Sequence, residues 1–245
     1  MSEQISIKSY NNTERATKYN TKQGFDPKRK NEMLNVTLFL LEDLIQQGAS
    51  ILELGAGSGL FTEKLINSDS INEIYVTDGA EVMLEIARKK LLTQSTNLVY
   101  DKLDFTQSLW SKRYKNIKFD AVTSSMAIHH AEDKKALFRE VYNVLTSEGV
   151  FVFADHMAGE TALIEKLIGS KRARLKLNSI GENLDTNNID KFMREDKKKQ
   201  DAEGNKCESI SNYLQYLREV GFKDVDCLWR DYWLAVFVAK KSDHL

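Results

Sequence analysis

The sequence predicts one α/β domain whose sheet is mainly parallel and carries helices on both faces. Three observations predict it. Short apolar runs of β type alternate with segments whose apolar residues recur at helical spacing. The first such run enters a glycine-rich turn, "ELGAGSG", residues 53 to 59. The chain has 245 residues, 42% of them hydrophobic and 29% charged, which fits one globular domain with a cap rather than two independent domains.

The elements follow in order. Residues 1–27 are polar and patchily aromatic and hold the only proline, Pro27. From Lys28 to Gln47, Met33, Val36, Leu40, Leu41, Leu44 and Ile45 recur at helical spacing, and Gly48 is placed to end that helix. "SILEL" reads as the first strand and "LFTEKLI" as the helix after the turn. "EIYVTD", "LVYDKLD", "FDAVTSS" and "GVFVFAD" read as strands two to five. "EVMLEIARKKLL" follows the second and "KKALFREVYNVL" the fourth as helices. Strands and helices alternating at this spacing imply right-handed crossovers and a parallel sheet.

Beyond "GVFVFAD" the pattern changes. Residues 158–206 show little β character and much charge, in "KRARLK" and "MREDKKKQDAEGNK". They predict a helix, then a second helix with an exposed loop. "ISNYLQYLREVGF" predicts a helix ending at Gly221. "DVDCLW" and "YWLAVFVAKK" predict a closing pair of strands.

Composition narrows the function. Lys plus Arg is 35 and Asp plus Glu is 36, a net charge of −1, so no global attraction to nucleic acid or anionic membrane is expected. Cys207 and Cys227 form no metal-ligand spacing, and no metal is expected. "MSEQISIK" lacks the pattern of a signal peptide, and "VTLFLLEDLI" is short and broken by Glu42 and Asp43, where a span needs about 20 apolar residues. A cytoplasmic protein without a membrane partner is the expectation.

The glycine turn raises the question of its ligand. Gly55, Gly57 and Gly59 give GxGxG, and Leu60 takes the place of the third glycine in the dinucleotide fingerprint. Glu53 ends the first strand where a pyrophosphate would lie. A carboxylate there repels a phosphate and suits a cationic amine. S-adenosylmethionine offers an ammonium and a sulfonium and no phosphate. Asp78, ending the second strand, suits both ribose hydroxyls of an adenosine. Asp104, after the third strand, suits the adenine amino group, with Phe105 beside the ring.

The series "ILELGAGSGLFTEKL", "VTDGAEVMLEIARKKL", "LDF", "FDAVTSSMAIHH" and "LFREVYNVLTSEGVFVFAD" resembles the class I S-adenosylmethionine-dependent methyltransferases. It is most similar to the small-molecule type that includes ubiquinone/menaquinone methyltransferase-like proteins. The resemblance covers roughly residues 15–156 and returns in the tail. It implies a Rossmann-like, seven-stranded, mostly parallel sheet with an antiparallel last strand and a helical insertion after strand five. It divides the chain into a lid segment (1–27), a cofactor core (28–156), a helical substrate cap (157–206) and a closing helix with strands (207–245).

The resemblance also implies site residues. Glu53, Gly55, Ala56, Gly57 and Gly59 match the acidic lead-in and glycine loop, Asp78 the ribose acid with Gly79 beside it, and Met83 the residue packed on adenine. Asp104 and Phe105 match the adenine-edge pair, and Ser124 with Ser125 the strand-four end beside the methionine moiety. Tyr19 matches a lid tyrosine, although Asn20 replaces the acid usual after it.

Methyl transfer from a sulfonium is an in-line displacement that needs alignment and exclusion of water. A base helps where the nucleophile carries a proton. His129, His130 and His156 stand near strand ends as candidate bases or as structural histidines. Asp155 is expected to border the acceptor pocket, with Tyr10, Tyr19 and Phe25 closing over it. Trp229, Tyr232 and Trp233 either line that pocket, favouring a flat or apolar acceptor, or pack an edge strand.

The expected partner is a small-molecule acceptor. DNA is not expected: "SSMA" stands where amino-methylating DNA enzymes carry a proline-rich turn, and no proline follows Pro27. A tRNA substrate stays open on "KRARLK", as does a non-catalytic binding or scaffold protein.

Overall fold

The computed structural model describes residues 4–16, 26–92 and 96–242; Tyr19 and Phe25 lie outside them. Within these residues the chain runs α1 (Ile5–Tyr10), α2 (Pro27–Leu44), β1 (Ala49–Leu54), α3 (Thr62–Leu65), β2 (Ile71–Asp78), α4 (Glu81–Lys90) and β3 (Asn97–Lys102). It continues with β4 (Phe119–Ser125), α5 (Lys134–Val144), β5 (Leu145–His156), α6 (Ala162–Ser179), α7 (Thr186–Ala202), α8 (Ile210–Val220), β6 (Lys223–Asp231) and β7 (Leu234–Lys240).

The seven strands order as β3-β2-β1-β4-β5-β7-β6. Strands β1 to β5 pair in parallel, and β7 runs antiparallel to both β5 and β6. The expected sheet and its antiparallel last strand are therefore present. The chain builds outward from β1 to β3, then returns to β4 on the other side of β1. That reversal opens a crevice at the carboxyl ends of β1 and β4, where open α/β sheets bind ligands.

Side-chain alternation sorts the core into two layers. Leu52, Leu54, Phe151, Phe153 and Phe237 join Phe138 of α5 and Tyr213 of α8 on one face. Ile51, Val150, Val152 and Val236 join Met33 and Leu41 of α2, Leu84 of α4 and Ile168 of α6 on the other. Each fully buried large side chain contributes about 1.5–3 kcal/mol, so the central strands are fixed from both faces.

Boundaries differ from expectation for local reasons. Asp26 caps α2 by accepting from Arg29 N, Pro27 occupies its first turn, and the helix ends at Leu44 rather than Gln47. Gly48, at φ +85°, then makes the turn into β1. The helix after the glycine turn shrinks to Thr62–Leu65. β5 starts at Leu145, directly after α5, because Leu145 already pairs with Phe119 before an irregularity.

The charged stretch forms two helices and a loop, as expected, and the second helix takes in "MREDKKKQDA". It runs to Ala202. Asp185 caps α7 through Asn188 N, Lys197 pairs with Asp201 at 3.1 Å, and Gln200 donates to Asp196 at 2.8 Å. Such i,i+4 pairs and the burial of Ile189 against Ala173 and Leu177 hold a helix that composition alone leaves marginal. α8 ends as expected, with Gly221 left-handed at φ +117°. Among the described residues no helix is long and apolar enough to cross a membrane.

Candidate functional site

A cavity of about 840 Å³, counting its open mouth, lies over the carboxyl ends of β1, β2 and β4. Of the residues expected at the site, Glu53, Gly55, Ala56, Gly57, Asp78, Gly79, Met83, Asp104, Phe105 and Ser125 line it, together with Tyr10 and His130. Strand ends from distant sequence positions converge there because the sheet reverses direction between β1 and β4.

The glycine turn is shaped by close packing. Gly55 sits at φ +66°, and a Cβ on it would lie 2.4 Å from the Ala127 Cβ. A side chain there would push apart the β1 and β4 turns. Gly57, at φ +58°, presents its N–H to Asp78 Oδ2 at 2.9 Å. The other oxygen of Asp78 accepts from Ala80 N at 2.8 Å. Asp78 therefore ties the β1 turn to the start of α4 and still faces the cavity with its remaining lone pairs.

Glu53 is fully buried beneath this turn, and its Oε2 accepts from Thr62 Oγ1 at 2.7 Å. Burial raises its pKa to about 7; the Thr62 hydrogen bond opposes that rise and the charge of Asp78 adds to it. Burial likewise lifts Asp78 to about 6, against the Ala80 and Gly57 hydrogen bonds. Two desolvated carboxyls in one cavity favour a ligand that brings positive charge or hydroxyl donors.

Asp104 accepts from Thr106 N, Thr106 Oγ1 and Gln107 Nε2, which holds the turn after β3. Phe105 and Met83 are buried in the same wall. Two expected cofactor contacts stand back from it. Ser124 is fully buried and donates to the Leu54 carbonyl at 2.8 Å. Gly59 faces Ala87 and Leu91.

The three histidines have different surroundings. His129 donates its backbone N–H to Asp155 Oδ2, and its Nδ1 lies 2.5 Å from Asp155 Oδ1. Asp155 is fully buried and also accepts from His156 N at 2.8 Å, so it is enclosed in the protein rather than facing the cavity. The His156 ring stacks on His129, with centroids 5.2 Å apart, and burial holds its pKa well below the usual value. Only His130 lines the cavity. Burial, then the neighbouring His129, lower its pKa to about 3, and its Nδ1 is buried without a partner among the described residues.

The tail aromatics also stand outside the lining. Trp233 is buried, with the guanidinium carbons of Arg29 and Arg172 5.4 and 5.6 Å from its ring centroid. Trp229 packs against the same core layer as α2, and Tyr232, at the β6–β7 turn, is exposed with Lys171 5.3 Å from its ring centroid. Long-range packing of β6 and β7 decided this.

Sequence reasoning missed several lining residues: Gln4 just before α1, Ser6 and Ile7 within it, Lys30 and Leu34 of α2, and Met126 with Ala127 after β4. Lys30 had a usable signal, because it shares a helical face with Met33 and Leu34, which are buried. α1 gave none, being too short to read by periodicity.

Known proteins similar to this chain agree with the geometry. The family model of the methyltransferase domain matches residues 52–153. An uncharacterized methyltransferase of Bacillus subtilis, YcgJ, is 28% identical over 48% of this chain and 45% of its own. The demethylmenaquinone methyltransferase of Leptospira interrogans is 26% identical over 43% of this chain and 42% of its own. The chain spans about half the length of the curated relatives it matches. Among solved structures, the magnesium protoporphyrin IX methyltransferase of Synechocystis, with bound S-adenosylhomocysteine, matches at TM-score 0.63 and 14% identity, over 97% of this chain and 99% of that one. Residues 52–153 thus match a methyltransferase domain, and the chain has the fold of the class I S-adenosylmethionine-dependent methyltransferases.

Proposed function

We propose that the chain binds S-adenosylmethionine and transfers its methyl group in line to a small-molecule acceptor. One observation carries the reading: the cavity at the glycine turn is lined by Glu53, Asp78 and Asp104, and its single lysine among the described residues, Lys30, comes from α2 rather than from the turn. Glu53 and Asp78 suit an ammonium and ribose hydroxyls, and would repel a pyrophosphate. Gly55 and Gly57 leave the turn free of side chains where a ligand approaches the backbone. Met83 and Phe105 supply apolar surface for an adenine ring, and Asp104 an acceptor at its edge.

The bound cofactor supplies a methyl group on an already activated sulfur. The chain's own task is then to orient the acceptor and exclude water. The lining supplies apolar surface for that through Leu34, Leu60, Phe61 and Met126. His130 is a poor proton acceptor at neutral pH, because its charged form is desolvated. This favours nucleophiles that arrive ionised or need no base, and gives His130 a hydrogen-bonding part.

The small-molecule reading is also supported by α6. In "KRARLK", Arg172 turns inward to Asp196 at 3.0 Å, and of the four basic residues only Arg174 is exposed, which weakens the segment as a phosphate contact. The test is calorimetric titration with S-adenosylmethionine, S-adenosylhomocysteine and NAD side by side. Micromolar binding of the two adenosyl-sulfur ligands and none of NAD is expected. Binding of NAD alone would overturn the cofactor assignment.

A further inference from the structure

Beside the α2 wall of the cavity lies a cluster of cations to which the proposed cofactor contacts give no part. Arg29 and Lys30 stand in the first turns of α2, and Arg172 in α6. Lys30 lines the cavity next to Leu34 and is its only lysine or arginine among the described residues. Lys30 and Arg172 both depress the pKa of His156, which puts both within electrostatic reach of that ring at the end of β5. Arg29 and Arg172 meet at the ring of Trp233.

The two guanidiniums are only partly used. Arg29 Nε lies 3.2 Å from Asp26 and 2.5 Å from Asp231, and Arg172 Nη2 lies 3.0 Å from Asp196. These carboxylates offset the guanidinium charges but leave donors over. Arg29 Nη1 and Arg172 Nε are both buried and have no hydrogen-bond partner among the described residues. Neither arginine is among the residues that line the cavity, but buried donors are nearly always bonded, and an unmet one calls for an acceptor from a ligand or an ordered water. A guanidinium fork matches the planar or tetrahedral oxygens of a carboxylate or phosphate.

The position of the cluster matters as much as its charge. Asp78 and Asp104 belong to the ends of β2 and β3, whereas His156 ends β5. In the sheet, β1 and β4 separate β2 from β5. The cavity is therefore acidic on the flank assigned to the adenosine, and Lys30 brings positive charge to it from the side of α2.

We propose that the acceptor carries an oxyanionic group, a carboxylate or a phosphate, recognised by Lys30 with Arg29 and Arg172 on the flank away from Asp78. The assignment of that anion as the methyl acceptor rests on the methyl-transfer reading. The apolar lining of Leu34, Leu60, Phe61 and Met126 fits the remainder of an amphipathic molecule.

The test is calorimetric titration of the full chain, saturated with S-adenosylhomocysteine, with octanoate, octyl phosphate and 1-octanol. One of the anions is expected to bind about tenfold or more tighter than octanol, as charge-assisted donors imply. Which anion it is distinguishes a carboxylate from a phosphate acceptor. Arg172→Gln and, separately, Lys30→Met should each reduce that preference. If no anion binds better than octanol, or the preference survives both substitutions, the proposal is overturned, and the unmet donors are served by water. Failure of S-adenosylhomocysteine itself to bind would overturn the methyl-transfer reading instead, and the same anion series without it would still test the cluster.

Discussion

Asp78 Oδ2 accepts a hydrogen bond from Gly57 N at 2.9 Å, so the acid that ends β2 fastens the glycine turn that follows β1. The same carboxylate reaches Ala80 N at 2.8 Å and begins α4. One side chain thus shapes the turn and presents charge to the cavity. Its loss should be felt in ligand binding and in the local backbone together.

Asp78→Ala is expected to weaken S-adenosylhomocysteine binding by about 1–3 kcal/mol, because it removes an acceptor from the cavity and frees the Gly57 N–H. Asp78→Asn keeps a carbonyl for one backbone donor and should lose less. Calorimetry on both variants checks this. Unchanged affinity in Asp78→Ala would reject Asp78 as a ligand contact.

Cofactor affinity should rise with pH. Glu53 and Asp78 have pKa values raised to about 7 and about 6 in the free protein, so both gain charge as pH climbs from 5 to 8. A ligand ammonium binds the charged forms better, so the dissociation constant should fall over that window. Stability of the free protein runs the other way. Between the unfolded and folded pKa values the folded state holds more protons, so stability drops as pH rises through them. Glu53→Gln should flatten both profiles. Calorimetric titrations and thermal melts across the range report the two slopes.

Gly79→Ala tests the cover over the site. A Cβ at Gly79 would fall 2.4 Å from Ile7 Cδ1, and its three nearest neighbours are all atoms of the Ile7 side chain. α1 is also held by Gln4 donating to the His130 carbonyl at 2.5 Å. The added methyl should therefore lift α1 from the cavity while the sheet stays intact. Faster hydrogen exchange over residues 4–10, with an unchanged melt of the core, is the expected result.

Asp155→Ala is expected to act on stability first. It strips an acceptor from the backbone N–H groups of His129 and His156 and from His129 Nδ1, all in a buried setting. Leaving several buried donors unmet costs about 3 kcal/mol or more. A urea unfolding curve should shift to lower midpoint accordingly. A full-strength fold with lost methyl transfer would instead give Asp155 a direct part in the chemistry.

His130→Ala separates hydrogen bonding from proton transfer. With its pKa held near 3, the ring stays neutral across the working range, so its removal should change rate without changing the pH profile above 5. A lost inflection near neutral pH in the variant would show a base that the buried ring does not resemble.

The strand ends were legible in the sequence for a simple reason. Glu53, Gly55, Gly57, Asp78 and Asp104 each sit where a strand stops, and period-two apolar runs mark those stops without ambiguity. A parallel sheet then carries them to one edge whatever the side chains elsewhere do. Turn chemistry is equally local, so Gly221 and the cap of α8 could be read directly.

What only the tertiary structure decided is which of the remaining candidates reach the cavity. Two histidines are adjacent in sequence, yet a single buried acid, Asp155, turns His129 inward and leaves His130 on the wall. Trp233 pairs with Arg29 and Arg172 from helices about 200 and 60 residues away, counted along the sequence, and so joins the core instead of a pocket. The same packing gathers Lys30, Arg29 and Arg172 from two helices. Local pattern fixes the elements because backbone and periodicity act over a few residues. Burial, and with it charge state and access, is set by partners that the pattern does not name.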